Sequence, residues 1–245
     1  MWTVVKTLSF GIYFYWYLFK ITPTYLRIKK LESQGKKEAH IEEIRKISYK
    51  WGNALLKQAK ITLNISGKEK VPEGAVLFVS NHQSYFDIPI FFAALDKQVG
   101  FVAKSDLDRI PIFNKWIAII KSVFIDRGDT RQSLMAIQEG IKLLKNGYSL
   151  VIFPEGTRSK CDKISDFKKG SLRLAVKSGV PVVPVTINGS YKLFEESNRI
   201  SSGKVDFFIH EPIETKNLSK EETNRLNDTV QIVISKKLEE LLLEV

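Results

Sequence analysis

In the stretch "LFVSNHQSYFDIPIF", residues 77–91, an apolar run breaks off at His82, and Asp87 follows five residues later. The chain holds only three histidines, so one placed at the end of what reads as a buried strand needs a chemical reason. On one continuous helix, positions five apart point roughly 140° away from each other. His82 and Asp87 therefore meet only if His82 sits on a loop and the chain turns back. A carboxylate on imidazole Nδ1 fixes the tautomer and leaves Nε2 to take a proton, which makes a general-base pair. No G-x-S-x-G elbow accompanies it, and Cys161 stands in a polar loop with nothing to mark it as a thiolate. The hydroxyl that loses its proton must then arrive with the substrate. His82 has to be neutral to accept that proton. By themselves these residues also fit a capped helix preceded by a loop histidine, since Ser and Asp favour such positions.

A second group of residues suits an anion. In "SLVIFPEGTRSK" a strand ends at Pro154 and is followed by Glu155, Gly156, Thr157 and Arg158. Gly156 lets backbone amides come close to a ligand, and Arg158 offers a two-pronged donor that matches a phosphate. "SVFIDR" ends in Arg127 and "FVAK" in Lys104. Four strands thus deliver His82, Lys104, Arg127 and Arg158 to one sheet edge, a proton acceptor beside three cations. The glycine-rich nucleotide fingerprints are absent. One cysteine and three scattered histidines make neither a disulfide framework nor a metal shell. No metal and no cofactor is expected.

These groups need a scaffold with strand ends in register. "AVLFVS", "VGFVA", "SVFI", "SLVIF", "VPVVPVTI" and "KVDFFI" read as strands. Helices lie between most of them. One is expected over 129–146, with Asp129 and Gln132 as a capping box, Leu134, Ile137, Ile141 and Leu144 on its apolar face, and Gly147 as its stop. Another starts at Ser219 with Glu222 as box partner, burying Leu226, Val230, Val233 and Leu241. Alternating strands and helices imply an α/β domain over 61–245, a largely parallel mixed sheet flanked by helices. The two prolines of "VPVVPV" favour a sheet edge or a bulge for that strand.

Residues 1–60 differ in kind. They carry 12 Lys and Arg against 4 Glu, +8 of the total +11. Localised basicity points to an anionic surface. The first 25 positions also hold 9 of the 27 aromatic residues, with no charge from Thr7 to Phe19. That composition argues for a phospholipid membrane surface and against nucleic acid. The uncharged run of 13 residues falls short of the roughly 20 a hydrocarbon span needs. A monotopic two-helix anchor is therefore expected over 1–60. Its second helix places Ile41, Ile44, Ile47, Trp51 and Leu55 at helical spacing, and 27–40 forms the connection.

Taken together, these pieces resemble the glycerolipid acyltransferase family, most closely its bacterial 1-acylglycerol-3-phosphate acyltransferases. "NHQSYFD", "SVFIDR", "FPEGTRS" and "VPVVPV" are similar to the four ordered blocks of that family, and "FKKGSLRLA" matches between the third and fourth. The resemblance covers about residues 75–187. It implies His82 as the base and Asp87 as its partner, activating the sn-2 hydroxyl of lysophosphatidic acid against an acyl thioester. It implies that Arg127, Glu155, Gly156, Thr157 and Arg158, with Lys104, bind the acceptor's phosphate. It further implies acyl carrier protein or acyl-CoA as donor, and work at the cytoplasmic face of the cell membrane. Another acceptor, thioester hydrolysis or a non-catalytic lipid-binding role stay open as alternatives.

Overall fold

A computed structural model of the chain describes residues 2–105, 112–126 and 128–243. Three helices come first, α1 (Trp2–Lys20), α2 (Thr22–Ser33) and α3 (Lys37–Ala59). The expected connection over 27–40 is therefore mostly helical: Pro23 starts α2 near its first turn, where its missing N–H is no loss, and Gly35 turns the chain at positive φ. Lys60 then ends α3 in the left-handed conformation.

Seven strands follow, β1 (Ile61–Ser66), β2 (Leu77–Ser80), β3 (Val99–Lys104), β4 (Val123–Ile125), β5 (Ser149–Ile152), β6 (Val182–Asn188) and β7 (Gly203–Ile209). They form one sheet in the order β1-β7-β6-β2-β5-β3-β4, parallel throughout except between β6 and β7. The α/β reading with a largely parallel mixed sheet holds. β1 was not among the expected strands, although its alternating Ile61, Leu63 and Ile65 carry the period of two; it is an edge strand, half-buried on one side and exposed on the other.

Between the strands run α4 (Asp87–Ala94), α5 (Phe113–Ile119), α6 (Thr130–Lys145) and α7 (Arg173–Ser178), with α8 (Lys220–Leu243) last. Strand alternation divides the interior into two apolar layers. Phe78, Val151, Phe101 and Val183 face one side, where α1, α3 and α4 add Leu18, Trp51 and Phe91. Leu77, Leu150, Ile152 and Val182 face the other, against α6, α7 and α8. Each fully buried Leu, Ile or Phe is worth roughly 1.5–3 kcal/mol over leaving it exposed, so the N-terminal helices are tied to the sheet by more than a linker.

Asp129 caps α6 through the backbone N–H groups of Arg131 and Gln132, and Ser219 and Glu222 exchange their two backbone bonds before α8. The buried faces agree in part with the expected ones. In α6 Leu144 is buried and Ile137 and Ile141 pack against the core, but Ala136, Gly140 and Leu143 are buried as well and Leu134 is half exposed; in α8 Leu226 and Val230 are buried as expected, while Ile234 and Leu238 replace Val233 and Leu241. The small Ala136 and Gly140 let α6 approach Leu174 of α7, which outweighs the larger but outward Leu134. β6 is interior and not an edge, despite Pro184. The carbonyl of Pro184 accepts from the His210 N–H at 3.0 Å, and pairing resumes at Val182 with Ile213, one residue out of register, so the missing N–H falls at an irregularity of that ladder, in keeping with the expected bulge.

Candidate active site

The parallel strands β2, β5 and β3 end on one edge of the sheet. Asn81, the first residue beyond β2, continues the ladder with its side chain. Its amide donates to the Ile187 carbonyl at 2.8 Å and its oxygen accepts from the Ile187 N–H at 2.9 Å. His82 is thereby fixed one step past the sheet. Its N–H donates to Glu155 Oε1 at 2.6 Å, and its carbonyl accepts from the Ser159 N–H at 2.8 Å. The loops after β2 and β5 are clamped to each other through His82 itself.

The chain then turns back as expected, and Asp87 opens α4. His82 Nδ1 lies 2.7 Å from Asp87 Oδ2, which also accepts from the N–H groups of Gln83 at 2.8 Å and Ser84 at 2.9 Å. Ser190 Oγ donates to Asp87 Oδ1 at 2.5 Å. Asp87 is an acceptor in all four contacts, so Nδ1 carries the hydrogen and Nε2 keeps its lone pair. The imidazole lies flat on Phe153 at 4.0 Å between ring centroids. Its side chain is 18% exposed while that of Asp87 is fully buried. The proton-accepting nitrogen belongs to the reachable member of the pair.

Both oxygens of Glu155 are taken by backbone amides, Oε1 by His82 and Oε2 by Ser165 at 2.8 Å. Its partners are thus backbone amides, and burial pushes its carboxyl above the ordinary value even so. Arg158 Nη1 donates to Glu195 Oε1 at 2.8 Å, and its guanidinium rests 3.4 Å above the Tyr85 ring. Gly156 turns the chain at positive φ, leaving Thr157 exposed beside Arg158. Lys104, the last residue of β3, is exposed at the same sheet edge. Arg127 lies outside the described residues.

His82, Asp87, Glu155 and Arg158 are accordingly brought together around two loops. Ser190 and Glu195, which complete the two polar clusters, were not singled out from the sequence; the only local signal near them is the Asn188-Gly189 turn after β6. From Tyr85 an apolar groove of about 260 Å³ runs between α1 and α4, lined by Phe10, Phe14, Phe86, Pro89 and Phe113. The arrangement can take a proton from a hydroxyl at Nε2 while holding an anion at Arg158, with apolar surface leading away from both. Among the described residues no group of metal-ligating side chains occurs.

Comparison with known proteins supports one kind of chemistry. The family model described as Acyltransferase matches residues 62–188. The chain is 32% identical over 183 residues to the 1-acyl-sn-glycerol-3-phosphate acyltransferase of Borreliella burgdorferi, covering 74% of this chain and 73% of that protein. It is 37% identical over 155 residues to the chloroplastic 1-acyl-sn-glycerol-3-phosphate acyltransferase of Arabidopsis thaliana; the match spans 62% of this chain and only 43% of the plant protein. The crystal structure of the 1-acyl-sn-glycerophosphate acyltransferase of Thermotoga maritima superposes with a TM-score of 0.80 at 34% identity, over 98% of this chain and 97% of that one. A family model over more than half the chain, and a bacterial relative aligned across most of both proteins, show that this chain belongs to the acyltransferase family.

Proposed function

We propose that the protein is a 1-acylglycerol-3-phosphate O-acyltransferase, moving an acyl chain from a thioester of acyl carrier protein or CoA to the sn-2 hydroxyl of lysophosphatidic acid. The observation that carries this reading is the His82–Asp87 pair, ordered at 2.7 Å and open at Nε2, beside an arginine suited to phosphate. Nε2 takes the hydroxyl proton as the oxygen attacks the thioester carbonyl. The C–O bond forms and the C–S bond breaks, and the imidazolium returns the proton to the leaving thiolate. The products are phosphatidic acid and the free thiol carrier. Arg158 binds the acceptor's phosphate, with Gly156 and Thr157 beside it and Lys104 and Arg127 contributing charge. Glu155 holds the loop that presents His82. No metal is needed, because carbonyl polarisation can come from a fixed donor.

The exposed apolar side chains of α1, including Leu8, Ile12, Trp16 and Phe19, fit a monotopic seat on the cytoplasmic face of a membrane. Lys20 lies 5.1 Å from the Trp16 ring centroid, a pairing suited to the headgroup level. Among the described residues no helix is long and apolar enough to cross a membrane.

The test is transfer of a labelled acyl group to lysophosphatidic acid, offering both donors to wild type and His82→Ala. Phosphatidic acid from wild type, with a loss of about 10²–10⁴-fold in the variant, is the expected result for a general base. A folded wild type that makes none overturns the reading.

A further inference from the structure

The two polar clusters of the site share a feature that neither matched block contains. β6 lies beside β2, with Val185 opposite Ser80, so the chain leaving β6 emerges next to the loop that carries His82. There it turns at Gly189, whose φ is +87° and where a β-carbon would lie 3.0 Å from the Lys204 carbonyl oxygen, leaving no comfortable room for a side chain. Residues 189–195 then make a hook that begins one residue beyond the family match, which ends at 188. Leu193 anchors it in the core, and its carbonyl accepts from the Ser201 N–H at 2.8 Å. The Phe194 ring packs 6.2 Å from that of Tyr85.

From this hook one side chain reaches each half of the site. Ser190, fully buried, donates to Asp87 Oδ1 at 2.5 Å, and its N–H donates to Gln83 Oε1 at 3.2 Å. Glu195, with its side chain 2% exposed, accepts from Arg158 Nη1 at 2.8 Å, from the Tyr85 N–H at 2.8 Å and from the Ser84 hydroxyl at 2.5 Å. A carboxylate so fully engaged has one orientation, and it holds the guanidinium against the Tyr85 ring. A free arginine on that loop would sample many rotamers, and an anion would have to order it on binding.

We propose that the hook 189–195 is the positioning element for both halves of the reaction, with Ser190 fixing the Asp87–His82 pair and Glu195 fixing Arg158 for the acceptor's phosphate. This inference rests on the acyltransfer reading above. It assigns neither residue a contact with substrate: each acts through a partner, so the two should affect different kinetic constants. Loss of aim at Arg158 weakens acceptor binding before and during the reaction alike, which raises KM. Loss of aim at Asp87 matters when charge develops on the imidazole, which lowers kcat.

The experiment is steady-state kinetics of the full chain on lysophosphatidic acid, with Glu195→Ala, Glu195→Gln and Ser190→Ala. Glu195→Ala should raise the acceptor KM about tenfold, roughly one charge-assisted hydrogen bond. Glu195→Gln keeps an acceptor oxygen in place and should recover most of that affinity. Ser190→Ala should lower kcat about tenfold while the acceptor KM stays within about twofold. KM does not depend on the fraction of enzyme folded, so the Glu195 result stands even if a variant folds poorly. An acceptor KM unchanged in Glu195→Ala, or Gln no better than Ala, overturns the proposal. So does a Ser190→Ala effect on KM alone. A wild type inactive on lysophosphatidic acid sinks the functional reading and is seen before any variant is compared.

Discussion

At the scale of single residues, His82 is held from three directions before any substrate arrives: by Asn81 through β6, by Glu155 through its own amide, and by Asp87 through the ring. Glu155 shows how a residue in a binding motif can work through the backbone. Its two oxygens accept the N–H groups of His82 and Ser165. Replacing it by Gln sets an amide N–H against one of those donors and leaves a buried group unsatisfied, a cost of about 1–3 kcal/mol. Glu155→Gln should therefore lower unfolding stability in urea by about that amount, as well as activity; an unchanged urea midpoint would contradict the clamp. The His82–Asp87 contact was legible from residue types and spacing because both lie within five positions. Glu195 was not, since its bond to Ser84 spans 111 positions.

At the scale of elements, the placement of Asp87 depends on how closely α3 and α4 pack. Gly52 of α3 sits where a β-carbon would lie 2.6 Å from the Pro89 carbonyl oxygen and 2.9 Å from the Ala93 nitrogen. Both are backbone atoms and cannot rotate away. Overpacking costs about 1–3 kcal/mol against the roughly 1 kcal/mol that alanine offers within a helix, so Gly52→Ala should destabilise the protein by up to about 2 kcal/mol. A variant more stable than wild type in a urea titration would show that the helices can part without cost. Strand and helix alternation and both N-terminal caps could be read from the sequence, because they follow from patterns a few residues long. The burial faces of α6 and α8 could be read only in part, since the choice between Leu134 and Gly140 depends on the neighbour that each meets.

For the whole molecule, charge and apolar surface are unevenly distributed, and both have measurable consequences. Replacing Leu8, Ile12 and Phe19 together by Asn should release the protein from anionic phospholipid vesicles, because these side chains are exposed while Leu18 and Ile21 of the same region are buried in the core. The substitution is a cleaner test than deleting the helix; undiminished sedimentation with vesicles would argue against the seat. The interior also responds to acid. Burial, followed by the charges of Lys70 and Lys237, holds His210 down at about 4, and burial lowers His40 too. A histidine protonated more readily when unfolded favours the unfolded chain as pH drops below about 6.5. The melting temperature should fall between about pH 6.5 and 4, with a shallower slope in His210→Gln; parallel slopes would remove His210 from that account. The sequence by itself determined the α/β class, the capped helices, His82 and Asp87 as a candidate pair and the motifs that mark the family, all of which are encoded within short windows. Only the tertiary structure decided that three helices and not two pack at the N-terminus, that Pro184 lies inside the sheet, and that Ser190 and Glu195 stand behind the site. The last two outcomes follow from strand order: β6 runs beside β2, and no local pattern in either strand names its neighbour.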